Sequence, residues 1–135
     1  MGLAVAGALV KDGWFVALLD VNQEAGKRAM ETLGTYAKFI KADVTQYKQQ
    51  LAAFESVFLS QGRIDFVFAN AGIAGRADFY DRAGQWPPAP PSFLSEEIGL
   101  RGAILTSYLA MHYMRRNPRP GGIIVATASG QDLVP

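Results

Sequence analysis

Apolar residues recur at Leu3, Ala6, Gly7 and Val10, the spacing of one helix face, and Gly13 stands where such a helix stops. Trp14 to Leu19 is a short apolar run closed by Asp20, the pattern of a buried strand. Asn22 can cap a second helical segment, Gln23 to Leu33, which Gly34 ends. Tyr36 to Lys41 reads as a second strand. Thr45 stands where an N-cap is wanted, ahead of a helix that carries Leu51, Phe54 and Phe58 on one face and stops near Gly62. Ile64 to Ala69 reads as a third strand, apolar except for Asp65.

The periodicity then lapses from 71 to 92. Pro87, Pro88, Pro90 and Pro91 rule out a helix interior or a central strand there. A long helix is predicted from about Phe93 to Arg116, with Pro118 beyond its end, and Gly121-Gly122 leads into a last strand, Ile123 to Ala128. Helices and buried strands thus alternate, which predicts an α/β domain with a doubly wound parallel sheet over residues 1–135. The chain opens on a helix, where such a domain normally opens on a strand.

Composition narrows the function classes. The 135 residues are 50% hydrophobic, enough for one globular core. The net charge of +1 gives no reason to expect a nucleic-acid partner or an anionic membrane surface. There is no cysteine and one histidine, so neither a disulfide framework nor a metal site is expected. No apolar run approaches the roughly 20 residues that span a bilayer. Met1 to Val10 lacks the basic start of a signal peptide, and Ala6 stands where a myristoylation motif wants Ser or Thr. The expected location is the cytoplasm.

The candidate chemistry lies at the strand ends. Gly2 begins the first helix, and Asp20 ends the first strand 18 positions later. In dinucleotide-binding folds a helix N-terminus takes the pyrophosphate, and a carboxylate about 20 residues on takes the adenosine ribose. Asp43 follows the second strand, Asn70-Ala71-Gly72 the third, and Ser129 the last. Each alone is more simply a turn residue. In an open parallel sheet, however, the carboxyl ends of the strands form the ligand crevice, and four polar strand ends in order fit that arrangement.

The segments Leu18-Leu19-Asp20-Val21-Asn22, Ala42-Asp43-Val44, Ile64 to Gly72 and Gly121 to Ser129 together resemble the short-chain dehydrogenase/reductase family, above all its NAD-linked members. The resemblance covers essentially the whole chain. It implies a partial Rossmann-like NAD(P)-binding domain in which Gly2 is the last glycine of the phosphate loop and Asp20 holds the adenosine ribose. A carboxylate there repels a 2′-phosphate, favouring NAD over NADP. Asp43 would meet the adenine amino group, with Val44 packing beside it. Asn70 and Gly72 would lie along the nicotinamide ribose, and Ser129 would be the catalytic serine that polarises the oxygen of an alcohol or carbonyl substrate.

Departures from the family pattern bear on activity. Its Asn-Asn-Ala-Gly motif reads Ala69-Asn70-Ala71-Gly72, and the asparagine of its long helix falls at Gly99. The family's catalytic tyrosine, its general acid/base, and the lysine that lowers its pKa follow the serine, and no tyrosine follows Ser129 in these 135 residues. The resemblance therefore implies a fragment: an inactive piece of an oxidoreductase whose first strand, lying between those that end at Asp20 and Asn70, is also missing. Those two strands are then expected either to close on each other or to leave a gap, with low stability and weak NAD binding. The alternative is a non-enzymatic, degenerate subunit that binds a partner dehydrogenase or senses dinucleotide. A flavodoxin-like domain is a third reading, which the Asp20, Asp43 and Asn70 pattern disfavours.

The apolar residues of the 93–116 helix, Ile98, Leu100, Ile104, Leu105, Tyr108, Leu109 and Met111, are too many for one narrow stripe. Either the helix lies deep in a single core, or, as the resemblance implies, its second face meets another copy in a homo-oligomer. His112 is read as a packed or interfacial helix residue, and Arg115, Arg116 and Arg119 as a solvated helix end. The substrate is not legible.

Overall fold

A computed structural model of the chain describes residues 1–74, 84 and 86–128. Its elements follow the predicted order: α1 (Gly2–Lys11), β1 (Val16–Asp20), α2 (Gln23–Leu33), β2 (Ala37–Lys41), α3 (Tyr47–Gln61), β3 (Phe66–Ala69), a single turn α4 (Leu94–Glu96), a π-helical turn (Glu97–Arg101), α5 (Gly102–Met114) and β4 (Ile123–Ala126).

Local chemistry accounts for the boundaries. Gly13 has φ of 82°, and the amides of Gly13 and Trp14 return to the Val10 and Leu9 carbonyls, closing α1 with a left-handed cap. Asn22 accepts the Ala25 amide at 2.9 Å and caps α2. Gly62, at φ 72°, ends α3. Thr45 does not cap α3, contrary to expectation. It is buried, its amide and hydroxyl both donate to Asp43 Oδ1 at 2.8 Å, and the helix starts two residues later behind Gln46. Asp65 does not interrupt β3 either. It precedes the strand and holds the Arg63 guanidinium through two 2.7 Å hydrogen bonds. The predicted long helix is instead three consecutive helical segments, ending at Met114 rather than Arg116.

The strands form two parallel pairs. β1 pairs with β2 from Val16↔Ala37 to Asp20↔Lys41, and β3 pairs with β4 from Phe66↔Ile123 to Ala69↔Ala126. β1 and β3 do not pair, so of the two expectations the gap is the one realised. Between them runs a cleft of about 800 Å³ lined by every residue of both strands.

The main core lies where α3 and α5 meet β3 and β4. Phe54, Ile64, Leu109, Ala110, Tyr113 and Met114 are buried together, with Phe54 stacked on Tyr113 at 5.9 Å. Buried Asn117 pins this region: its Oδ1 accepts the Ile64 amide, and its Nδ2 donates to the Ile64 and Gly121 carbonyls. One side chain thereby ties the approach to β3 to the approach to β4, satisfying backbone groups that would otherwise be stranded in a buried turn. Around β1 the packing is thinner. α1 contributes only Ala6 and α2 only Gly26, Ala29 and Leu33 as buried residues.

Candidate functional site

Parallel pairing carries polar residues to one rim. The Ala42 amide donates to the Asp20 carbonyl at 3.1 Å, so Asp43 leaves β2 beside the end of β1. Likewise the Thr127 amide donates to the Ala69 carbonyl at 3.0 Å, placing Thr127 beside Asn70. The two pairs share a direction. A Cβ on Gly2, at the start of α1, would lie 3.4 Å from Asn70 Nδ2, so the beginning of α1 and the end of β3 meet. At the opposite end, Gly13 and Trp14 ahead of β1, Arg63 and Asp65 ahead of β3, and Gly122 ahead of β4 line a common depression.

Gly2, Asp20, Val44 and Asn70 all line the cleft between β1 and β3. Asp43 and Gly72 stand just beyond, and neither is among its lining residues. Asp43 is partly engaged, accepting from Thr45 while its own amide donates to Gln49 Oε1 at 2.8 Å. Gly72 is exposed, with open space where a Cβ would be. Ser129 lies outside the described residues.

The polar groups have defined capacities. Asp20 is exposed. Its Oδ1 accepts the Asn22 amide at 2.8 Å, which fixes the carboxylate and leaves Oδ2 for a ligand hydroxyl. The α1 amides of Gly2 and Leu3 have no acceptor among the described residues, since the first bonds of the helix run from Ala4 and Val5 to the Met1 carbonyl. Such a terminus favours an anion. Asn70 Oδ1 accepts the Thr127 hydroxyl at 2.9 Å, so its amide nitrogen faces Gly2. No cluster suited to a metal ion occurs among the described residues, and none of their helices is long and apolar enough to cross a membrane.

Sequence reasoning missed three residues that shape this rim. Thr127 orients Asn70. Its position immediately past a strand paired with β3 is the signal that was available. Gln50 is fully buried, and its Nε2 donates to the Val44 and Gly102 carbonyls while its Oε1 accepts the Thr106 hydroxyl at 2.8 Å. A glutamine on a helix face between Leu51 and Ala53 gives no sequence sign of such a role. Gly102 is the third: its carbonyl accepts from both Gln50 and Thr106 in the same network.

Tyr36 lines the cleft, but the one tyrosine buried among the described residues does not substitute for the family's acid/base. Tyr113, the buried one, lies in the α3–α5 core and does not line the cleft. Burial pushes its phenol above the ordinary value of 10.0, and Glu55 pushes it further. A general acid/base for neutral chemistry needs the opposite shift.

Comparisons with known proteins identify the family. The short chain dehydrogenase family matches residues 1–135. Short-chain dehydrogenase/reductase prx7 of Penicillium rubens is 41% identical over all of this chain and 51% of its own length. NADP-dependent dehydrogenase clz5 of Cochliobolus lunatus is 33% identical over 84% of this chain and 42% of its own. The human 15-hydroxyprostaglandin dehydrogenase [NAD(+)] is 30% identical over all of this chain and 48% of its own. The chain thus spans about half the length of the curated relatives it matches. With the family matched from end to end and the strand ends arranged as its incomplete Rossmann-like sheet requires, this chain belongs to the short-chain dehydrogenase family of oxidoreductases.

Proposed function

We propose that this chain is the dinucleotide-binding part of an oxidoreductase that uses NAD to interconvert a secondary alcohol and a ketone. The observation that carries the reading is that Gly2, Asp20, Val44 and Asn70 line one cleft at the carboxyl ends of parallel strands. These residues suit the cofactor on chemical grounds. The unpaired α1 amides would take the pyrophosphate, and Asp20 Oδ2 the adenosine ribose. Asp43 would accept from the adenine amino group, with Val44 against the ring. Asn70 and Gly72 would flank the nicotinamide ribose, and Ser129 would orient the substrate oxygen. Bound there, NAD would supply the hydride-transfer chemistry. The protein groups bind and orient, and none of those named is an acid/base suited to the proton. The 135 residues alone are therefore expected to bind NAD weakly and to turn over no alcohol.

The chain is also expected to self-associate. Leu100, Ile104, Tyr108 and Met111 leave an apolar stripe exposed on the far side of α5 and the turn before it, at 65, 59, 56 and 44%. This exposed stripe supports contact with a second copy. A non-enzymatic role is the second reading. It is favoured by Gly99, which offers no polar side chain and has open space around it at the position where family members carry an asparagine.

Asp20 tests the cofactor reading. Titration with NAD and NADP should show NAD bound the more tightly by the natural chain, and Asp20→Ala should remove the difference, weakening NAD on the order of tenfold. Equal binding of the two cofactors by the natural chain would count against it, because the relatives include an NADP-dependent enzyme.

A further inference from the structure

We propose that Gln49 and Gln50, adjacent on the first turn of α3, are positioning residues that set Asp43 and Val44 for an adenine base and so give the site its preference for that base. The inference rests on the reading that adenine lies at Asp43 and Val44.

The two glutamines hold one dipeptide at both ends. Gln49 Oε1 accepts the Asp43 amide at 2.8 Å. Gln50 Nε2 donates to the Val44 carbonyl. The backbone is thus tied where the dipeptide begins and where it ends. Its side chains are held as well. Asp43 Oδ1 accepts the Thr45 amide and the Thr45 hydroxyl, each at 2.8 Å, and Oδ2 accepts no hydrogen bond from the described residues. Val44 is backed by the start of α5, which comes this close because Gly102 has no side chain. A fixed carboxylate oxygen with spare capacity, next to an apolar side chain, suits a flat ring that carries an amino group on its edge. Adenine is such a ring.

Packing alone does not call for an amide at Gln50. The residue is fully buried, and the other buried residues of α3 are Ala53 and Phe54. A buried amide is tolerated only when its hydrogen bonds are made. Here they are all made. Nε2 reaches the Val44 carbonyl and, at 3.4 Å, the Gly102 carbonyl, while Oε1 accepts the Thr106 hydroxyl at 2.8 Å. Carbonyls only accept, so the nitrogen must face them and the orientation of the amide is fixed. Gln50 therefore ties the turn to α5 from inside the protein. Gln49 is exposed and holds the same turn from the solvent side.

The test titrates the 135-residue chain with AMP and with purine riboside monophosphate, the same nucleotide without the adenine amino group. Binding is followed by NMR at the Asp20 and Val44 amides, which reports on the folded chain alone. The natural chain is expected to bind AMP about tenfold more tightly than the amino-free nucleotide, the worth of one hydrogen bond to a charged acceptor. Gln50→Leu should abolish this preference by weakening AMP about tenfold, with the amino-free nucleotide bound as before. Gln49→Ala leaves the buried network in place and should cut the preference to about threefold. Equal weakening of both nucleotides by Gln50→Leu marks a merely structural residue and overturns the inference. So does a full preference retained in both variants. If Gln50→Leu does not fold, Gln49→Ala decides: an undiminished preference overturns the inference. A natural chain without a preference for AMP overturns the adenine reading together with this inference, and is told apart from the other failures because it needs no variant.

Discussion

Gly102 and Val44 meet at the edge of the cleft so closely that a Cβ on Gly102 would lie 2.8 Å from Val44 Cγ2. The start of α5 therefore packs directly on the loop that carries Asp43. Gly102→Ala gains helix propensity, up to about 1 kcal/mol, but overpacking costs about 1–3 kcal/mol. A net loss of stability is expected in urea denaturation. Gly99→Ala meets open space and should instead gain up to about 1 kcal/mol. If the two substitutions behave alike, the close approach of α5 to this loop is wrong.

The same loop is held from beneath by Gln50. Gln50→Leu keeps the volume but leaves the Val44 carbonyl without its donor. Leaving a buried acceptor unsatisfied costs about 1–3 kcal/mol. Lower stability is expected, together with faster amide exchange at Val44 and Thr45. Unchanged exchange there would show that Gln50 does not hold the loop.

Tyr113 predicts a signature at alkaline pH. Its pKa in the folded chain is raised by burial, so folding favours the neutral phenol. Above pH 10 the unfolded chain loses this proton before the folded one does. The unfolded state then binds fewer protons, and stability falls as pH rises through the folded pKa. Below pH 10 this contribution is complete. In urea titrations from pH 8 to 11, the natural chain should lose stability more steeply above pH 10 than Tyr113→Phe. Parallel profiles would contradict the assignment.

Self-association through α5 is tested at Ile104, the middle of its exposed stripe. Ile104→Glu should shift sedimentation velocity toward monomer without altering far-UV circular dichroism, because the residue is 59% exposed. An unchanged sedimentation profile would remove the stripe as the contact.

Much of this fold was legible where short-range chemistry decides it. The Asn22 cap and the Gly34 stop fix α2 at the predicted residues, and Gly13 and Gly62 end their helices as expected. Thr45 shows where such reasoning fails. Its hydroxyl has two possible uses, capping α3 or donating to Asp43, and burial of the turn selects the second. Asp20, Asp43 and Asn70 were legible as strand ends. That Asn70 is oriented by Thr127 was not, because this contact joins residues 57 positions apart and exists only through the register of β3 and β4. The open cleft was one of two outcomes the sequence allowed.

The most direct measurement is an NMR titration of the 135-residue chain with NAD, followed at assigned backbone amides. Binding in the millimolar range is predicted, with the largest shifts at Gly2, Asp20, Val44 and Asn70 and little change in the α3–α5 core around Tyr113. Saturable shifts elsewhere with none at these four amides, or no shifts at millimolar NAD, would contradict the account.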